Sequence, residues 1–109
     1  MSDERLKPIF SSRASDPSLS EIVDRLVIGL GERIDHLQDA ETEQDFDQIT
    51  EIASSLVEDA RRAGFSELAR VASALEIVSR LRDAKVARTR LVELTEIVHR
   101  IRLGHMGNA

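Results

Sequence analysis

Asp45-Phe46-Asp47-Gln48-Ile49-Thr50-Glu51-Ile52-Ala53-Ser54-Ser55-Leu56-Val57-Glu58-Asp59-Ala60-Arg61-Arg62-Ala63-Gly64 reads as one complete amphipathic helix with its own start and stop. Asp45 stands at an N-cap position with Gln48 three residues on, at the reach-back position of a capping box. Phe46, Ile49, Ala53, Leu56 and Ala60 recur at helical spacing and form the core stripe, widened by Ile52 and Ala63. Gly64 sits where a left-handed C-cap is wanted.

The same logic extends in both directions. Upstream, Ser18-Leu19-Ser20-Glu21 has capping-box spacing and follows Pro17, so the first helix is expected to start at Ser18. Leu19, Ile22, Val23, Leu26, Leu30, Ile34 and Leu37 make its stripe, which fades near Asp39–Thr42. Gly29 and Gly31 interrupt it at a cost of about 1 kcal/mol each, and mark a bend or a close approach by another segment. Downstream, a third helix over 66–82 is predicted to bury Leu68, Val71, Ala72, Leu75, Val78 and Leu81. Asp83 caps a fourth, in which Ala87, Leu91, Leu94, Val98 and Ile101 align and which Gly104 ends. Residues 1–17 are a lead-in that Pro8, Ser11, Ser12, Ser15 and Pro17 keep from being helical, with Ile9 and Phe10 available to dock. Short connections make neighbours antiparallel. The predicted fold is all-α: an up-down-up-down antiparallel four-helix bundle over 18–104, with the short N-terminal segment across one end and a tail at 105–109.

Composition narrows the chemistry. The chain has 109 residues, no Cys, Trp or Tyr, and three Phe. That excludes disulfides, thiolate metal sites and a Cys nucleophile, and disfavours a stacking platform for single-stranded nucleic acid. Residues 1–59 carry 15 acidic and 5 basic side chains, and residues 60–109 carry 5 acidic and 10 basic. One reading is that the two halves attract each other within the bundle. The other is a basic face on the last helices that meets an acidic partner. The acidic total and the dispersed basic residues argue against nucleic acid. No apolar run reaches the length of a membrane span, and Met1-Ser2-Asp3-Glu4-Arg5 has no signal-peptide core, so a cytoplasmic protein without a membrane partner is expected.

No catalytic constellation is legible. His36, His99 and His105 have neither the i, i+4 spacing nor the Glu-x-x-His pattern of helical metal sites. Gly29-x-Gly31 lacks the third glycine and the preceding strand of a nucleotide loop. Ser54-Ser55 has no His placed to act as base. Asp39, Glu41, Glu43, Asp45 and Asp47 lack the glycine and terminal glutamate of a calcium loop. The expectation is no enzyme, no cofactor and no metal.

Ile52 to Glu76 nevertheless resembles the histidine-containing phosphotransfer (HPt) domain. Ala53, Leu56, Ala60, Gly64, Phe65, Leu68, Ala72, Leu75 and Glu76 stand at spacing compatible with that family's pattern. Pro8-Ile9-Phe10-Ser11-Ser12, Asp16-Pro17, and Glu32, Arg33 and Leu37 are similar to sequences of many bacterial members. The resemblance covers about residues 8–103. It implies a four-helix bundle of two-component phosphorelay type. Three hallmarks depart from it together: Ser54 stands where the family has its phosphorylated His, Val57 where it has Lys, and Glu58 where it has Gly.

Helical periodicity puts Glu51, Ser54, Val57, Glu58 and Arg61 on the outer side of the second helix, opposite Ala53, Leu56 and Ala60. Val57 has two readings there, a flank of the core stripe or an apolar contact for a partner. Glu58 is either one half of a helical ion pair with Arg62 or a mimic of a phosphoryl group. The resemblance and its departures together lead to a pseudo-HPt domain, monomeric or weakly homo-oligomeric. It would bind a response-regulator receiver domain or a histidine kinase through Glu51, Ser54, Val57, Glu58 and Arg61 without carrying phosphate. The alternatives are an active carrier through another His, with His99 beside Arg100 and Arg102 the first choice, and a scaffold bundle with an unrelated partner.

Overall fold

A computed structural model of the chain describes residues 7–107. The elements are a 3-10 turn at Pro17–Leu19 and four helices: α1 Ser20–Thr42, α2 Phe46–Ala63, α3 Ser66–Arg80 and α4 Ala84–Gly107. No strand is present among the described residues. Each helix packs on the next, and α4 packs back on α1, closing a four-helix bundle. Side-chain contacts show α1 and α4 to be antiparallel. Arg88 at the start of α4 meets Glu41 at the end of α1 at 2.9 Å, and Asp24 early in α1 lies 3.8 Å from His105 late in α4. Leu30, Leu37, Ile49, Leu56, Leu68, Leu75, Leu94 and Ile101 fill the centre.

The three connections share one geometry. Gln44, Gly64 and Arg82 each have positive φ, at 54°, 80° and 57°. The residue after each donates its N–H five residues back: Asp45 to Ala40, Phe65 to Ala60 and Asp83 to Val78. These are Schellman stops. In two of them that next residue also caps the following helix: the Asp45 carboxylate accepts from the Gln48 N–H at 3.1 Å, and the Asp83 carboxylate from the Val86 N–H at 3.1 Å. A stop and a start are thereby compressed into two residues, and that turns the chain back on itself.

Several expectations need correction. Ser18 does not cap α1. Asp16 accepts from the Ser18 N–H at 3.0 Å and from its hydroxyl at 2.7 Å. Asp16 thus caps the 3-10 turn that Pro17 begins, and the α-helix proper starts at Ser20. Those two hydrogen bonds, side chain first, hold the Asp16 carboxyl below its ordinary pKa. Helix α3 ends at Arg80 rather than 82, because Arg82 takes the left-handed conformation. Leu81, about 180° around the axis from Ala72, faces away from the core and is 74% exposed instead of buried. Gly104 does not end α4, which continues to Gly107, so no tail begins at 105; residues 108–109 lie outside the described set.

Gly104 has another use. A Cβ there would lie 2.6 Å from the Ile9 carbonyl oxygen. The lead-in crosses the bundle end at this point. The Ile9 N–H donates to the Arg100 carbonyl at 3.0 Å, Arg100 Nε donates to the Lys7 carbonyl at 2.9 Å, and the Ser12 N–H donates to the Gly64 carbonyl at 2.9 Å. The Ser11 hydroxyl donates to the Ala63 carbonyl. Ile9 packs on the core, whereas Phe10 stays 55% exposed. Residues 1–6 of the predicted lead-in lie outside the described residues.

The charge asymmetry is answered partly inside the molecule. Arg88–Glu41 and Arg82–Asp47 at 3.1 Å join the basic half to the acidic half. Their exposure makes them guides to register more than sources of stability.

Candidate functional site

Helix α2 packs against both α1 and α3, and that sets the width of its apolar arc. Ile49, Ala53, Leu56, Ala60 and Ala63 are fully or almost fully buried. At 3.6 residues per turn, Val57 lies about 40° around the axis from Ala53, inside that arc. It is 6% exposed and belongs to the core cluster. The reading of Val57 as a partner contact is therefore corrected; it flanks the core stripe.

Ser54, Glu58 and Glu51 lie about 100–160° from Ala53 and turn away from the core. Ser54 is half-buried, while Glu51, Glu58 and Arg61 are exposed. Glu51, Ser54 and Glu58 line one shallow groove of about 410 Å³ together with Asp47, Thr50, Ser55 and Arg80. Arg80 reaches it from the last turn of α3 and pairs at 2.7 Å with Glu76 on its own helix. Arg61 lies one turn beyond Glu58 and does not line the groove. Three of the five residues singled out from the sequence are thus brought together, one is buried and one stands apart.

The groove is lined by hydroxyls and carboxylates, with one guanidinium. The Ser54 hydroxyl sits between Glu51 one turn before and Glu58 one turn after, with Asp47 further along the same wall. Carboxylates here oppose the accumulation of charge on a phosphoryl group, which needs fixed positive charge or N–H donors. No imidazole lines the groove. His36 lies among Asp39, Glu43 and Asp45 near the α1–α2 turn. His99 lies between α1 and α4 with Glu41, Arg88 and Glu96, and His105 faces Asp24. Arg100, which the sequence places beside His99, is turned to the lead-in and holds the Lys7 carbonyl. No three acidic or His side chains converge as a metal site requires, among the described residues. No helix is long and apolar enough to cross a membrane, again among the described residues.

Sequence reasoning missed Arg80 and Asp47 as groove residues. Asp47 carries the signal in principle, since it precedes Ser54 by two turns on the same stripe. Arg80 carries none, because its approach depends on how α3 lies against α2. It also missed the Arg33–Asp59 ion pair, half-buried on the other flank of α2.

Comparisons with protein-family models, with curated proteins and with solved structures find no match for this chain.

Proposed function

We propose that this protein is a degenerate HPt-like signalling domain that binds a receiver domain or a histidine kinase without carrying phosphate. The observation that supports the reading is Ser54. It occupies the position where the resembled family has its phosphorylated His, on the outward face of α2, and its groove holds Asp47, Glu51 and Glu58 against the single cation Arg80. A hydroxyl in that setting has no imidazole to activate it, and the one cation, Arg80, is paired with Glu76 and outnumbered by three carboxylates that oppose a transferred phosphoryl group. Binding alone suffices for regulation, since a domain that occupies a partner's docking face shifts the partner's equilibrium by mass action.

An amide NMR titration with receiver domains and with histidine kinase domains from the same organism tests the proposal. The expected result is that one partner shifts resonances clustered at Glu51, Ser54, Glu58 and Arg61, and that Glu58→Arg weakens binding at least about tenfold, since a rim charge reversal juxtaposes like charges where opposite ones met. Helical circular dichroism should be unchanged in the variant, because Glu58 is exposed. Absence of shifts with every receiver and kinase overturns the reading. So does an acid-labile phosphate on the wild-type chain. Val57→Asp is not a test of the site, because it places a carboxylate in the core.

A further inference from the structure

The outer line of α1 is unexplained by anything inside the bundle. Glu21, Arg25, Ile28, Glu32 and His36 fall on one narrow stripe at spacings of three and four residues. All five are exposed, and Ile28, at 78%, is the most exposed large apolar residue of the described chain. Within the helix Arg25 pairs with Glu21 at 2.6 Å, and the His36 ring lies 4.0 Å from Glu32. Beside Ile28 is Gly29, and nothing lies within 4 Å of where its Cβ would be. A glycine inside a helix costs about 1 kcal/mol against alanine. At Gly104 a crossing segment accounts for the glycine; at Gly29 no segment of the described chain does.

We infer that this stripe is a dimerisation surface on which α1 pairs with α1 of a second copy, antiparallel, about a twofold axis between Ile28 and Gly29. In that arrangement Arg25 faces the partner's Glu32, and Glu21 faces the partner's His36. The symmetry repeats both contacts, as an isologous interface must. Ile28 packs against the partner's Ile28 across the axis. A parallel pairing in register sets Glu21 on Glu21 and Arg25 on Arg25, so the charge order itself selects the antiparallel form. Arg25 and Glu32, placed evenly about Ile28, are complementary to their own reversal, so the symmetry makes that ion pair twice, and this is why the occupant is a second copy and not an unrelated helix.

The facing stretch from Glu21 to His36 is about 23 Å long. A single helix pair of that length falls below the area of a standard interface, about 1,600 Å². The dimer is therefore weak and concentration-dependent. It uses α1 only and leaves the Ser54 groove free, so it stands apart from the proposed function and can fail without it.

Sedimentation equilibrium of the full chain up to about 1 mM, high enough to populate a weak dimer, tests it. Wild type is expected to show a reversible monomer–dimer equilibrium. Arg25→Glu and Glu32→Arg should each weaken self-association at least about tenfold, because each sets like charges opposite each other twice. An equimolar mixture of the two variants should associate again, as a heterodimer in which the carboxylates of one chain face the guanidinium groups of the other. Circular dichroism should show both variants folded, since both positions are exposed. A wild type that stays monomeric throughout overturns the inference. Variants that dimerise like wild type, or a mixture that associates no better than its components, overturn it equally.

Discussion

At one end of the bundle the chain turns twice, at Gln44-Asp45 and Arg82-Asp83. At the other it turns once, at Gly64-Phe65, and the lead-in lies across that turn. All three turns have the same backbone, yet only one uses glycine. At the open end, Gln44 and Arg82 sustain positive φ with side chains that extend into solvent. At the covered end, a Cβ on Gly64 would lie 2.7 Å from Ser12 Oγ and 3.0 Å from the Arg13 nitrogen. Glycine is required there for close approach as much as for conformation. The open end is tied by exposed ion pairs, and the covered end by backbone hydrogen bonds from residues 7–13. The open end also tolerates a defect: Ser79, fully buried in the last turn of α3, has a hydroxyl with no hydrogen-bond partner.

The comparison is broken most directly at Gly104. Gly104→Val should destabilise the protein by up to about 3 kcal/mol, the upper end of the range of an overpacked core site, because the new side chain meets the Ile9 backbone and not a flexible side chain. Urea unfolding measures it, and an unchanged midpoint would mean that the lead-in does not seat there in solution.

Gly64 separates the two ends more finely. Gly64→Ala should cost about 1–2 kcal/mol from left-handed strain together with the displaced Ser12 and Arg13. Gln44→Ala places the same residue in the same conformation at the open end and should change stability by less than about 0.5 kcal/mol, as surface substitutions usually do. Equal effects at the two sites would show that crowding by the lead-in contributes nothing.

The smallest effect has the opposite sign. Ser79→Ala should stabilise by about 1 kcal/mol, since it removes a buried donor that has no partner and leaves the methylene in place. A loss of stability in thermal unfolding would show that the hydroxyl is satisfied in solution.

The α2 face shows how far sequence reading carried toward the candidate site. Glu51, Ser54 and Glu58 were legible as one outward stripe because a helix repeats every 3.6 residues whatever surrounds it. Val57 was ambiguous for the same reason: at about 40° from Ala53 it lies at an edge whose burial depends on how far the neighbouring helices wrap α2. Leu81 failed differently: the period itself sets it about 180° from Ala72, on the outer side with Ile77. Arg80 was invisible, being brought to the groove by packing.

The sequence by itself determined the four helices, most of their ends and the antiparallel order. Those features rest on relations between residues within about five positions of each other: caps at Asp45 and Asp83, the stop at Gly64, and the apolar period. Only the tertiary structure decided what each glycine is for, which edge residues are covered and what faces Ser54. Those outcomes rest on contacts between distant parts of the chain, such as Ser11 with Ala63 across 52 residues and Arg100 with Lys7 across 93. No local pattern encodes a neighbour that far away. Gly64 at the turn, Gly104 under the lead-in and Gly29 on an open face are the same residue in sequence, and only the surroundings of each distinguish them.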